Sequence, residues 1–298
     1  MKADAQGNFT GKQLVIFGCG YVGVEVARQA MARGLRVTAL TRNPLKAAEL
    51  EKLGVTSVVA DLADTDWHTQ VPGTPDFALN CVSSGGGGIE GYRRSYVEGM
   101  RSIRQWSERH GRPGTLVYTS STSVYPQGDG VHVDELAATG ADAGERPAAL
   151  LDAERLAQEI GQRSFILRLA GIYGPGRHYL LEQVSSGEVA GRGDHRLNLA
   201  YRDDIAAAIW AVLAASPAIA GGIYNVADDG AATKGEVVAW LAQRMGLPEP
   251  HFTGQPAGGR RTVTPDRVIV NERLKRELGW RPGYPTFREG YAEILRAL

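Results

Sequence analysis

Apolar residues in this chain fall in short continuous runs separated by longer amphipathic stretches. The runs at 14–17, 36–40, 57–60, 77–82, 115–119, 165–169 and 223–226 are mostly apolar at successive positions. That pattern predicts strands covered on both faces, as in a parallel sheet. Helical spacing falls between them, near 21–33, 44–53, 95–110, 150–161 and 203–215. The alternation predicts an α/β protein with a doubly wound parallel sheet. After Gly171 the chain turns to Gly-, Pro- and Arg-rich segments, with helices expected near 234–246, 271–278 and 286–297. These pieces suit a smaller C-terminal lobe over the carboxyl edge of the sheet, where open α/β folds bind ligands. The expected sheet domain covers 12–170, with 197–228 returning to it, and the lobe takes 171–196 and 229–298. No internal repeat is present, and Gly85-Gly86-Gly87-Gly88 is a flexible loop too short for a linker.

Composition then narrows the partners. The chain has 298 residues, 43% of them hydrophobic, enough to bury a large core. Lys plus Arg and Asp plus Glu both total 33, so no net field points to nucleic acid or a membrane surface. No apolar run approaches a membrane span, and the polar start MKADAQGNFTGKQ reads as a frayed tail without a signal-peptide core. Cys19 and Cys81 lie far apart in apolar settings and without metal spacing. They read as small buried hydrophobes in a reducing compartment, so a cytoplasmic protein is expected.

The first strand run leads into the turn with the clearest chemistry. Gly18-Cys19-Gly20-Tyr21-Val22-Gly23 is a G-x-G-x-x-G sequence between a strand and an amphipathic helix, and the next strand follows at βαβ spacing. Gly18 permits the tight turn, Gly20 lets a diphosphate approach the backbone, and Gly23 lets helix and strand pack closely. The N–H groups and positive end of the helix then face the phosphates, as in a Rossmann dinucleotide site. An NAD site usually carries an acidic residue about 20 positions further on, bound to the ribose. Here the second strand ends Thr41-Arg42-Asn43. Arg42 can hold a 2′-phosphate in a charge-assisted bidentate pair, so NADP is expected over NAD. The alternative is that Arg42 is a solvated residue before the helix start at Pro44.

From the fifth strand onward the chain resembles a known family. TLVYTSSTSVY, RSFILRLAGIYGPGR, NLAYRDDIAAAI and GGIYNVADD occur in the order seen in extended short-chain dehydrogenase/reductases, the group containing NAD-dependent sugar-nucleotide epimerases and dehydratases. ELGWRPGYPTFREG resembles the family's closing segment, and the likeness covers about residues 12 to 298. Phe17 stands where the family's first glycine would be, a variant similar to atypical members. The resemblance implies that Asp61 and Leu62 flank the adenine, and that Cys81, Val82 and Ser83 line the cofactor. Tyr21, Val22 and Gly171 join the expected cofactor set. Asp61 has an alternative role as a helix N-cap in DLADTDW.

Catalysis is where the family pattern breaks. Active members use a Tyr-x-x-x-Lys pair, the lysine holding the ribose and lowering the tyrosine pKa, with a serine orienting the substrate oxygen. Ser121 matches the serine, but Leu151 stands at the expected tyrosine position and Arg155 at the lysine position. Leucine has no proton to give, whereas Arg155 could still hydrogen-bond the ribose. Other candidate acids are Tyr173 and His178 in the GIYGPGRH loop, together with Tyr125 and Tyr96, each with a structural role as the alternative. His68, His110, His132, His195 and His251 form no metal set in sequence.

In the lobe, Leu197 occupies the place where relatives carry a diphosphate-binding arginine. Arg177, Arg192, Arg196 and Arg202 leave room for an anionic small-molecule substrate, with solvated surface arginines as the alternative. Two functions follow. One is an NAD(P)-dependent oxidoreductase or epimerase-like enzyme on a small carbonyl or sugar-like substrate. The other is a non-catalytic NADP-binding sensor or scaffold. A homodimer is compatible with either, and no nucleic acid, membrane or metal is expected.

Overall fold

A central sheet is built from strands between Gln13 and Val226, with helices set between most of them in the chain. The computed structural model describes residues 9–84, 86–140, 144–255 and 265–298. In chain order the elements are β1 (Gln13–Phe17), α1 (Tyr21–Ala32), β2 (Arg36–Thr41), α2 (Pro44–Lys52), β3 (Thr56–Val59), β4 (Phe77–Asn80), α3 (Gly88–Arg93), α4 (Gly99–His110) and β5 (Thr115–Ser121). Next come β6 (Val131–Val133), α5 (Glu145–Gln158), β7 (Arg163–Leu169), β8 (Gly171–Tyr173), α6 (Tyr179–Ser186), β9 (Glu188–Val189), β10 (Leu199–Tyr201), α7 (Arg202–Leu213) and β11 (Gly221–Val226). The last are α8 (Lys234–Met245), β12 (His251–Phe252), β13 (Arg267–Ile269), α9 (Glu272–Leu278) and α10 (Phe287–Ala297).

Two compact units divide these elements. The first runs to Val124 and takes in Thr139–Arg168 and Ala206–Tyr224; the second takes Tyr125–Ala138, Leu169–Ile205 and the chain from Asn225 on. The seven-stranded sheet has the order β11-β7-β5-β4-β1-β2-β3. β1 pairs in parallel with both β2 and β4, so the strand order reverses beside it, which is the doubly wound arrangement expected. Phe17, Trp67 and Trp106 meet in the core of this unit, with ring centroids 5.2 and 5.6 Å from Phe17. Asn43 caps α2, its Oδ1 accepting from the Leu45 and Lys46 amides, and Pro44 opens the helix where no N–H is needed.

The second unit holds three short parallel pairs, β10 with β8, β12 with β9 and β13 with β6. Its core gathers Tyr173, Tyr201, Val237, Leu241, Phe287 and Tyr291. α8 and α10 both start in capping boxes, Thr233 with Glu236 and Thr286 with Glu289.

Three elements differ from expectation. The helix expected at 95–110 begins at Gly88 and passes through a π-helical turn at Arg94–Glu98 before α4. Three successive glycines with positive φ, Gly86, Gly87 and Gly88, bend the chain into it. The helix expected at 150–161 begins earlier, at Glu145. α6 was not foreseen.

On α5, Leu150, Ala153, Glu154 and Ala157 are buried. Glu154 receives the Ser120 hydroxyl at 2.6 Å and the Arg168 guanidinium through Nε at 3.0 Å and an Nη at 2.6 Å. This ion pair ties α5 to β5 and β7 inside the first unit, with both side chains only 4% exposed. Removing one member leaves a buried charge without its partner, which typically costs about 3–5 kcal/mol. Arg168→Met alone should therefore lower the unfolding free energy in urea by about that amount. Arg168→Met with Glu154→Leu should recover most of the loss.

Candidate dinucleotide site and the second-unit cavity

The glycine turn is built by close contacts that differ at each glycine. Gly18 has φ of +76°, and a Cβ there would meet the Val82 Cα at 2.5 Å. Gly23 is held close for another reason, since its Cβ would meet the Cys81 sulfur at 2.9 Å. Gly20 is different. The nearest atom to a Cβ at Gly20 would be the Gly18 carbonyl oxygen at 3.9 Å. Protein packing therefore does not demand glycine at position 20, whereas close approach of a diphosphate would. Gly20 is also the N-cap of α1, with no side-chain cap and no acidic residue in the first turn. Val22 is buried and Tyr21 half-buried on that turn. The loop fits a dinucleotide diphosphate.

Beside it, the Gly18 and Cys19 amides both donate to the Leu40 carbonyl, which fastens the turn to β2. The Cys81 amide donates to the Phe17 carbonyl and its thiol to the Gly18 carbonyl at 3.3 Å. Burial pushes the Cys19 thiol up to about 12, and burial with the nearby Cys19 raises Cys81 as well. Both are packing groups rather than nucleophiles.

At the end of β2, Thr41 is buried and its hydroxyl accepts from the Asn43 amide. Arg42 is about half exposed, with an Nη 3.8 Å from Asp61 Oδ2. Asp61 Oδ1 accepts from the Ala63 amide at 2.9 Å and Oδ2 from Arg94 Nε at 3.2 Å. Burial alone would raise the Asp61 carboxyl, yet the Ala63 amide, Arg94 and Arg42 hold it below its ordinary value. Leu62 lies elsewhere than expected: its side chain is in the core, and its carbonyl accepts from Trp67 Nε1. A hydrophobic side chain beside Gly99 and Trp67 has no surface left for an adenine.

Val82 is half-buried and Ser83 exposed after β4. On β5, the Ser121 hydroxyl accepts from the Ser123 amide at 3.1 Å and is half-buried. The structure does not bring Arg155 to that edge. It is 76% exposed and ion-paired with Asp152, a turn back on the outer side of α5. Leu151 is half-buried, and Glu154 is the polar residue that α5 turns to the sheet. Leu150, Ala153 and Ala157 share this face at helical spacing, and Glu154 belongs to it.

In the second unit, Gly171 donates its amide to the Asn198 carbonyl, and a Cβ on it would lie 3.0 Å from that oxygen. Strand pairing alone thus accounts for this glycine. The Tyr173 ring packs against Tyr201 and Tyr291, and its hydroxyl points at the Gly290 backbone, where a Cβ would be 2.0 Å away. Burial, with Asp228 nearby, raises Tyr173 far above the usual phenol range. This tyrosine is a packing group. His178 is the N-cap residue of α6, its Nδ1 3.5 Å from Glu182. Tyr125 is buried and donates to Asn225 at 2.9 Å.

The same unit holds an open pocket of about 1120 Å³ lined in part by Arg177, Arg192, His195, Leu197, Lys234 and Asp266. Lys234 donates to the Ala190 carbonyl, and desolvation lowers its amine below the ordinary value. Desolvation and the Lys234 charge likewise lower His195. Arg192 pairs with Asp194, and Arg196 with Asp266 at 2.7 Å, so those two arginines are already matched.

The chain belongs to the NAD dependent epimerase/dehydratase family, whose model matches residues 14–227. It is similar to Protein YeeZ of Escherichia coli strain K12, 28% identical over 284 residues covering 92% of this chain and 97% of that one. It is also similar to the 3-diazoavenalumate denitrifying reductase of a Streptomyces species, 25% identical over 93% of this chain and 98% of that protein. Among solved structures, UDP-glucuronic acid 4-epimerase from Bacillus cereus, with UDP-glucuronic acid and NAD, shares the fold at a TM-score of 0.77. It is 18% identical, over 96% of this chain and 100% of that one.

One buried acid in the second unit makes a pH prediction. Asp228 is pushed up to about 8 by desolvation, with Asp229, Asp204 and Glu289 adding to it against the Gly230 amide. Its Oδ2 has no hydrogen-bond partner among the described residues. The folded carboxyl keeps its proton to about pH 8, while an unfolded one releases it near 3.8. The folded state therefore binds the extra proton between those values, and the associated stability is complete below 3.8 and lost as pH rises through about 8. The urea midpoint should fall over that window, and Asp228→Asn should flatten the fall.

Proposed function

We propose that this chain is an NADP(H)-dependent oxidoreductase acting on a small carbonyl or sugar-like substrate. The observation that carries the reading is the open space over Gly20 at the uncapped start of α1, between two glycines that packing does require. When bound there, the dinucleotide would supply or accept the hydride. The Gly20 backbone and the first turn of α1 would hold the diphosphate. Ser121, at the carboxyl end of β5, would orient the substrate oxygen. Asp61 would border the adenine ribose, and Cys81, Val82 and Ser83 would line the cofactor along the β4 exit.

NADP over NAD rests on Arg42. Its guanidinium is half exposed at the end of β2, and Thr41 stands where NAD sites carry a carboxylate. Asp61 is close to Arg42, but Arg94 is closer to Asp61, which leaves Arg42 able to face a 2′-phosphate. The pocket of the second unit, with the half-buried Lys234 amine, favours an anionic substrate. A reductase among the full-length relatives agrees with hydride chemistry. The exposed Arg155 and the apolar Leu151 favour a second reading, a cofactor-binding sensor without turnover.

Two substitutions test the cofactor assignment by calorimetry. Arg42→Ala should weaken NADP binding about 10- to 100-fold, the worth of a charged hydrogen bond or two, and leave NAD binding unchanged. Equal loss for both nucleotides, or none, would sink the 2′-phosphate role. Gly20→Val should abolish binding of both while the protein keeps its native unfolding transition, because a side chain there fills the diphosphate's place.

A further inference from the structure

We propose that Arg94 sets the cofactor preference of this chain by holding the Asp61 carboxylate away from Arg42. The inference rests on the NADP reading above and names the residue that enforces it. Thr41 of β2 pairs with Val59 of β3, and the Ala60 amide donates to the Thr41 carbonyl at 3.1 Å. The two strands therefore leave the sheet side by side, with Arg42 on one exit and Asp61 on the other. Among the described residues, Asp61 is the carboxylate with which Arg42 pairs, an Nη lying 3.8 Å from Oδ2. That is an ion pair but too long for a hydrogen bond. A guanidinium and a carboxylate so placed close readily into a bidentate pair. Were they to do so, Arg42 would be occupied and unable to hold a 2′-phosphate.

Arg94 prevents this closure. It is the first residue of the π-helical turn Arg94–Glu98 and is about half exposed. Its Nε donates to Asp61 Oδ2 at 3.2 Å, and an Nη donates to Asp64 Oδ1 at 2.7 Å. Asp61 Oδ1 already accepts from the Ala63 amide, so both oxygens of Asp61 are engaged without Arg42. One guanidinium spanning two carboxylates needs the planar fork of arginine. The chain supplies those carboxylates from a single turn, because the Asp64 amide donates to the Asp61 carbonyl at 3.1 Å. The turn is in turn fastened to the helix after β4. Leu62 packs against Gly99, and the Ser102 hydroxyl donates to the Asp64 carbonyl. Packing thus sets the distance from Arg94 to Asp61.

The four charges balance, Arg42 and Arg94 against Asp61 and Asp64. When a 2′-phosphate takes Arg42, Asp61 keeps a hydrogen-bonded cation in Arg94 and is not left alone beside a second anion. Without Arg94, Asp61 competes with the phosphate for Arg42 and repels the phosphate if it loses. Asp64 is 53% exposed, and water can take up its charge. NAD has no 2′-phosphate, makes no demand on Arg42 and is indifferent to the competition. Arg94 is accordingly a positioning residue that acts through Asp61.

Calorimetric titration of the full chain with NADP+ and with NAD+ tests this, read as the ratio of the two affinities. Arg94→Ala should lower the preference for NADP about fivefold, near the upper limit for an exposed ion pair competing for Arg42. Asp61→Asn removes the competitor, and its effect on the adenine ribose falls on both nucleotides and cancels in the ratio. Arg94→Ala combined with Asp61→Asn should therefore show the same ratio as Asp61→Asn alone. A preference unchanged in Arg94→Ala, while Arg42→Ala reduces it, would overturn the proposal and leave the NADP reading standing. An equal loss in the Asp61→Asn background would also overturn it, since Arg94 would then act on the phosphate itself. No change of preference in Arg42→Ala would remove the NADP reading and this proposal with it.

Discussion

The backbone of Gly18 lies against the backbone of Val82 with no room for a single carbon between them. That contact joins the exit of β1 to the exit of β4 at the one place in the sheet where strand order reverses. Its consequences spread along the edge. Cys81 is pulled in by the Phe17 carbonyl and lends its sulfur as the surface against which Gly23 packs. α1 then starts close to the sheet, and its uncapped first turn opens beside Gly20. Any side chain at Gly18 would push apart the two segments that a dinucleotide must touch together.

Buried charge is treated in two opposite ways. In the first unit Glu154 is fully matched, by Arg168 and by the Ser120 hydroxyl, and serves to fix α5 on the sheet. In the second unit Asp228 sits among other acids with one oxygen unmatched, and the simplest relief is to keep its proton. A proton held by burial ties stability to pH. The neighbouring Asp204 avoids that outcome only in part. Its carboxylate accepts the Gly283 and Tyr284 amides at 2.6 and 3.0 Å, yet burial still raises it.

Much of the sheet was legible because a strand covered on both faces leaves an apolar run, and all seven runs correspond to strands of the seven-stranded sheet. Two glycines of the turn were legible because packing demands them, Gly18 against Val82 and Gly23 against the Cys81 sulfur. The short pairs β8 with β10, β9 with β12 and β6 with β13 were not, since two or three residues carry no periodicity. Nor was the π-turn, which obeys no repeat in RSYVE that differs from an α-helix. Leu62 misled because its place after a strand suggested a cofactor contact, while Trp67 and Gly99 draw its side chain inward. Glu154 could have been found. A carboxylate on the apolar stripe of Leu150, Ala153 and Ala157 requires a buried partner, and Arg168 in the FILRL run is the matching oddity.

The Glu154–Arg168 ion pair decides what α5 does in the first unit. A helix that carries a catalytic pair must aim polar groups at the strand end while the rest of its inner face packs. Here the inner face is Leu150, Ala153, Glu154 and Ala157, and its only ionised member is locked to Arg168. Arg155 pairs with Asp152 in solvent, so Glu154 makes the ionic contact from α5 to the sheet. The β1–β4 contact, not α5, sets the geometry of the dinucleotide turn.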